Sequence, residues 1–177
     1  NNNIFLDIGS HIGESVSRLY HAGIIFDQYN LFEPDYLSCL KLIENIEKLK
    51  LHSSKISIHT DVLGADEKLI NFYTGLGYSS QVCSSGNEIR KQKTLDTYDL
   101  KPSFIKLHTE GTELDILSGA KRTIQKYRPA IASAIYHNDK GVVDIFLWAK
   151  ENLNDYKIYL RLHNFQGCGA FIYCIPY

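Results

Sequence analysis

Residues 4–13 read IFLDIGSHIG, and no other stretch restricts the fold as much. Apolar residues lead into an acid, Asp7, and the turn that follows carries Gly9, Ser10, His11, Ile12 and Gly13. This pattern is a buried strand running into a glycine turn that opens a helix. In an open α/β sheet, the crevice outside the carboxyl end of such a strand is where a nucleotide-like ligand binds.

The chain beyond this turn alternates in type. Val16, Leu19 and Tyr20 recur at helical spacing up to Gly23. Residues 28–33 (QYNLFE) form a strand stopped by Pro34, and Asp35 is placed as the N-cap of the next helix. That helix is expected to bury Leu37, Leu40, Ile43 and Ile46. Residues 55–60 (KISIHT) alternate as a third strand, which completes βαβαβ, the signature of a parallel sheet. A short strand is expected over 68–73, a turn at Gly75 and Gly77, and a polar loop over 78–87. FIKL at 104–107 is a fourth main strand, followed by one helix over 112–127 with Leu117, Ala120 and Ile124 inside. AIASAIY at 130–136 is a fifth strand, and a helix over 141–152 should bury Val142, Phe146, Ala149 and Leu153. The last two strands, 156–162 and 170–175, are separated by too short a loop for a parallel crossover, so they pair antiparallel.

At 177 residues, with no repeat or linker, residues 1–177 read as one domain. Because the first strand starts so near residue 1, further sequence upstream is an expectation. A net charge of −1 offers no basic face for nucleic acid. No apolar run approaches the ~20 residues of a membrane span. The four cysteines show neither CxxC nor zinc-ligand spacing, and with no signal peptide a cytoplasmic location is expected.

Two ligand classes compete for the first turn. A dinucleotide turn reads GxGxxG, and its middle glycine lets the backbone approach a pyrophosphate; here that position is His11. An acid at Asp7 would repel a pyrophosphate and suits a cationic ligand such as S-adenosyl-L-methionine, which carries an ammonium, a sulfonium and no phosphate. Glu33, twenty residues past Gly13, can accept both ribose hydroxyls of either ligand. Asp61 is placed to accept a proton from an adenine amino group, or else is a plain loop acid.

Several longer motifs carry a resemblance. They are DIGSHIGES at 7–15, FEPD at 32–35, TLDTY at 94–98, IKLHTEGTELDILSGA at 105–120, RPAI at 128–131, IYHND at 135–139 and YKIYLRLH at 156–163. In this order and over nearly the whole chain, the sequence resembles the FkbM-type S-adenosylmethionine-dependent methyltransferases. The resemblance implies a Rossmann-like class I methyltransferase fold: a mostly parallel seven-stranded sheet with an antiparallel last strand and helices on both faces. It implies that Asp7, Gly9, Ser10 and Gly13, with His11 between them, line the methionine end of the cofactor, and that Glu33 holds its ribose. It also implies O-methylation of a hydroxyl on a saccharide, a surface-polysaccharide precursor or a small metabolite. One position departs from the family pattern: where an acid is usual, in a motif like IKIDxEG, this chain has His108.

Methyl transfer to an alcohol requires the hydroxyl oxygen to be aligned behind the methyl and its proton to be removed. His108 and Glu110 follow the fourth strand, and His137 and Asp139 follow the fifth. An imidazole is a natural proton acceptor near neutral pH, so His108 is the expected general base, with His137 as partner and Glu110 beside them. Glu110 has a second reading, as an acid stabilised ahead of a helix. The His108 and His137 spacing matches no standard metal motif, and no metal ligands are assigned. Ser80, in a loop expected to cover the acceptor, and Arg161 and His163 on the penultimate strand are candidate acceptor-binding residues. Two other readings stay open. The chain could hold the cofactor without transferring its methyl, as the change at His108 suggests, or could be a nicotinamide oxidoreductase, which Glu33 permits and the missing glycine opposes.

Overall fold

The computed structural model describes residues 3–51, 55–165 and 169–177. His52, expected on the surface or a strand, and Cys168 lie outside the described residues. The first half of the chain forms β1 (Ile4–Ile8), α1 (Glu14–His21), β2 (Gln28–Phe32), α2 (Tyr36–Lys48) and β3 (Ile56–His59). Four short strands follow: β4 (Val62–Leu63), β5 (Lys68–Tyr73), β6 (Gln81–Val82) and β7 (Glu88–Lys93). The second half forms β8 (Phe104–Leu107), α3 (Glu113–Gly119), α4 (Lys121–Tyr127), β9 (Ala130–Ala134), α5 (Gly141–Asn152), β10 (Tyr156–Leu162) and β11 (Ala170–Pro176).

Seven strands make the main sheet in the order β10-β11-β9-β8-β1-β2-β3. β1 pairs in parallel with both β2 and β8, while β11 runs antiparallel between β9 and β10. Every residue of β1 is buried, as its apolar run requires of a central strand covered on both faces. Its side chains divide between two cores. Ile4, Leu6 and Ile8 face α3, α4 and α5, and Phe5 faces α1 and α2. Strand order reverses on either side of β1, so the sheet has its switch point there and a crevice opens at that end.

The expected architecture is present, but three details differ. The buried face of α2 is Ser38, Cys39, Leu42 and Ile46, whereas Leu37, Leu40 and Ile43 are exposed. Both stripes have helical spacing. The phase is set by Asp35, whose carboxylate accepts the Ser38 N–H and anchors the helix start. In α5, Ala149 and Leu153 are buried as expected, but Ile145 takes the place of Val142 and Phe146. There Gly141 packs so close to the Ile135 carbonyl that a Cβ would lie 2.7 Å from it, which fixes the rotation of the helix. The single helix expected over 112–127 is two, α3 and α4, meeting at Ala120. Asp96 caps the second from outside, accepting the Arg122 and Thr123 N–H groups.

β4 to β7 form a second, four-stranded sheet that was not foreseen beyond the strand at 68–73. β7 reads EIRKQK, with no apolar alternation, and is a strand because β5 pairs with it along its length. No helix among the described residues is long and apolar enough to cross a membrane. Cys39, Cys83 and Cys174 are free thiols.

Candidate active site

The crevice at the switch point encloses about 880 Å³ out to its open mouth, between the ends of β1, β2 and β8 and the small sheet. Gly9, Ser10, His11, Glu33, Asp61, Ser80, His108 and Glu110 line it; Asp7, Gly13, His137, Arg161 and His163 do not.

The first turn spends its N–H groups on the protein itself. Gly9 and Ser10 both donate to the Phe32 carbonyl, Gly13 donates to the Ser10 carbonyl, and the Ser10 hydroxyl donates to the Asp7 carbonyl. A pyrophosphate would need those N–H groups, so the turn does not fit a dinucleotide. Gly9 has φ +77°, and a Cβ there would sit 1.9 Å from the His108 carbonyl oxygen, so only glycine lets the first turn and the end of β8 meet.

Asp7 is fully buried, and the Lys106 ammonium lies 2.8 Å from its Oδ1. Burial pushes its carboxyl up, while Lys106 opposes that. The charge of Asp7 therefore answers Lys106 and gives no argument for a cationic ligand, which corrects the expectation drawn from it. Lys106 also donates to the Gly9 carbonyl and lines the crevice itself. Gly13 likewise serves the packing: a Cβ there would meet the Leu42 side chain of α2 at 2.9 Å.

Glu33 follows the end of β2. One oxygen accepts the His11 N–H at 2.7 Å and the other accepts the Asp35 N–H at 2.8 Å. Burial pushes its pKa up to about 7, against those two donors. Asp61 is already engaged, by the Tyr98 hydroxyl on one oxygen and Lys93 on the other. Burial opposes its charge, but those partners outweigh it and lower the carboxyl. Asp35 does more than cap α2. Its second oxygen accepts Thr74 Oγ1, the Gly75 N–H and Ser80 Oγ, tying the 74–80 loop to the crevice wall. The Ser80 hydroxyl thus faces Asp35 as well as lining the crevice.

At the other end, the His108 and His137 rings stack with centroids 5.0 Å apart. His108 Nε2 lies 2.7 Å from the Tyr136 hydroxyl. Burial, together with nearby Lys106 and His137, drives its pKa down to about 4, so the ring is neutral at physiological pH. His137 is the opposite case. Its Nδ1 lies 2.6 Å from Glu113 Oε1 and its Nε2 lies 3.3 Å from Glu110 Oε1. Burial disfavours its charge, yet the two carboxylates win and raise its pKa to about 9. An imidazolium held between two acids is no proton acceptor at neutral pH, so the sequence-based pairing of His137 with His108 as bases gives way.

Glu113 was missed by sequence reasoning. It is 2% exposed, at the start of α3, and also accepts the Thr109 and Gly111 N–H groups. An acid in the first turn of a helix was the available signal. Arg161 and His163 stand on the outer strand, exposed and away from the crevice, with His163 Nε2 on the Tyr173 hydroxyl. Asp139 plays no part in the cluster; Asn138 beside it donates to the Gly111 carbonyl and ties β9 to the loop ahead of α3.

The methyltransferase FkbM domain model matches residues 7–166. No curated protein matches the chain. Among solved structures, methyltransferase FkbM from Methylobacillus flagellatus KT superposes with a TM-score of 0.82 at 24% identity. That match covers 98% of this chain and 43% of that one, so the chain spans less than half the length of this relative. An SAH-bound Podospora anserina methyltransferase, PaMTH1, matches at TM-score 0.57 and 12% identity, over 99% of this chain and 72% of that one. An rRNA methylase from Streptococcus thermophilus matches at 0.56 and 14%, over 98% and 85%. With a family model covering nearly all of it, the chain belongs to the FkbM methyltransferase domain family.

Proposed function

We propose that the chain is an S-adenosyl-L-methionine-dependent methyltransferase acting on a hydroxyl of a saccharide or small metabolite. The observation that carries this reading is the pairing of a self-satisfied first turn with Glu33. The turn offers no N–H cradle for phosphate, while a buried carboxylate at the crevice wall is fixed by two main-chain donors. Its remaining lone pairs accept the two ribose hydroxyls of an adenosine ligand. The cofactor supplies an activated methyl on a sulfonium; the chain supplies position. The Ile8 to His11 turn, Glu33 and the Asp61 edge line the cofactor side, and His108, Glu110 and Lys106 line the acceptor side. His108 is neutral and lines the acceptor side, where it helps position the hydroxyl oxygen for in-line attack. A ring this weakly basic aligns the hydroxyl better than it deprotonates it. His137, with Glu110 and Glu113, holds the ring of His108 in place.

A thermal-shift comparison of S-adenosylmethionine, its demethylated product, NAD and NADP tests the cofactor, because a saturating ligand raises apparent stability by mass action. Stabilisation by the first two alone is expected, and stabilisation by NAD alone overturns the reading. Mass spectrometry of a hydroxyl-bearing acceptor panel should then show the gain of one methyl group. Cofactor binding with no product across the panel would instead favour a module that holds the cofactor without transfer.

A further inference from the structure

The fold brings together three side chains whose sequence spacing matches no standard metal motif. A ring nitrogen of His108, a ring nitrogen of His137 and a carboxylate oxygen of Glu110 all lie within 4.8 Å of one another. A first-row divalent cation takes such ligands at about 2.0–2.2 Å, so small side-chain shifts close the set around one ion. Two imidazoles and one carboxylate, with positions left over, form a donor set that zinc, manganese, iron and cobalt accept.

An independent observation points the same way. The His137 side chain is only 7% exposed, yet its Nε2 makes no hydrogen bond and has only the loose 3.3 Å approach of Glu110. A buried, underused imidazole nitrogen aimed into a cluster of donors is uncommon. Its Nδ1 is committed to Glu113, and an imidazole donating one nitrogen to a carboxylate is how proteins orient the other toward a metal. His108 divides its nitrogens similarly: Nε2 meets Tyr136, and Nδ1 has no hydrogen bond among the described residues.

We propose that His108, Glu110 and His137 form a divalent transition-metal site, in which the cation displaces the proton on His137 Nε2 to solvent, with Glu113 orienting His137 and an open coordination position facing the crevice. His108 and Glu110 line that crevice, which places the position where an acceptor hydroxyl arrives. The role of the cation rests on the hydroxyl-methylation reading. Coordination lowers the hydroxyl pKa and its proton leaves to water. The oxygen–carbon bond then forms as the carbon–sulfur bond of the donor breaks, with nothing oxidised or reduced.

The test uses the purified protein, stripped with a chelator and titrated with Co²⁺ in the absence of any methyl donor. One equivalent should bind, with the visible absorption of nitrogen and oxygen ligation. Affinity should fall by at least about 10–100-fold in Glu110→Gln and in His137→Gln, since loss of even an outer partner of a metal ligand costs that much, and stay unchanged in His21→Gln, an exposed histidine of α1. Should His137→Gln fail to fold, Glu110→Gln carries the test at its partly exposed position. Absence of saturable binding, binding indifferent to Glu110→Gln, or a thiolate-to-cobalt band from Cys83 overturns the site. Methyl transfer undiminished by metal removal overturns its role. Cobalt bound at these residues with no methylation of any hydroxyl leaves the site standing and removes the hydroxyl-methylation reading.

Discussion

At the β2 end of the crevice one carboxylate, Glu33, is fixed by the main chain: the N–H groups of His11 and Asp35 take one oxygen each. At the β8 and β9 end, side chains fix one another, with His137 between Glu110 and Glu113 and its ring stacked on His108. The first arrangement needs only a turn of the right shape and one acid. The second needs four side chains from three separate segments: a charged His137 between two carboxylates and a neutral His108 stacked on it. Backbone geometry therefore carries the end proposed for the cofactor, whereas at the end proposed for the acceptor main-chain donors fix only Glu113 and side chains join the rest.

The two ends meet at Gly9, and Gly9→Ala is the most damaging single change to the comparison. Its Cβ would collide with the His108 carbonyl oxygen in a left-handed conformation that alanine disfavours. Left-handed strain and overpacking together cost about 3 kcal/mol or more. Chemical denaturation should show that loss, and both cofactor binding and the His108 environment should be disturbed at once. A variant of wild-type stability would mean that the ends are not joined through this contact.

Glu113→Gln separates the ends. Removing one charge from a buried pair should destabilise the fold by about 3 kcal/mol or more while leaving cofactor affinity unchanged. It should also change the pH profile of stability. The folded pKa of His137, about 9, lies above its ordinary value of 6.5, so its contribution is fully present below pH 6.5 and is lost as pH rises through 9. Denaturation midpoints of the metal-free parent protein should fall over that window, and those of the variant, likewise metal-free, should fall less. An equal slope in both would show that Glu113 does not hold the His137 proton.

The same contrast explains what the sequence could and could not reveal. The strand-to-turn pattern of 4–13 and the Asp35 cap of α2 are local patterns whose meaning is set by neighbours a few residues away, and the parallel sheet follows from strands and helices that alternate. Glu113 and Lys106 were overlooked because their partners, His137 and Asp7, are distant in sequence and meet them only in the folded sheet. The phases of α2 and α5 were misjudged for a different reason. Each helix carries two apolar stripes, and the choice between them is made by a contact at its start, the Asp35 cap in one and the Gly141 packing in the other. β7 was unreadable because its strand character comes from β5 and not from its own polar residues.

At the cofactor end, Glu33→Gln should weaken S-adenosylmethionine binding about 10–100-fold, the loss of one charge-assisted acceptor pair. Stability should fall by about 1–3 kcal/mol, because the amide oxygen keeps one of the two backbone donors while the amide NH2 faces the other, and the cobalt titration should not change. Calorimetric titration reads the affinity. If the affinity is unchanged, Glu33 does not hold the ribose, and the backbone-built end loses its ligand.

A gentler probe of the same carboxylate is pH. Its pKa of about 7 means that ionisation spans the neutral range, and the ribose hydroxyls donate to the charged form. The ionised fraction climbs from about a tenth at pH 6 to about nine-tenths at pH 8, so affinity should rise by somewhat under tenfold across that interval and level off above it. His108 is neutral and His137 charged across most of this interval, so neither acceptor-end group imitates the trend. The rise should vanish in Glu33→Gln and persist in Glu113→Gln. Loss of the rise in the latter would mean that the two ends share a titration, and that the division between a backbone-built and a side-chain-built half does not hold.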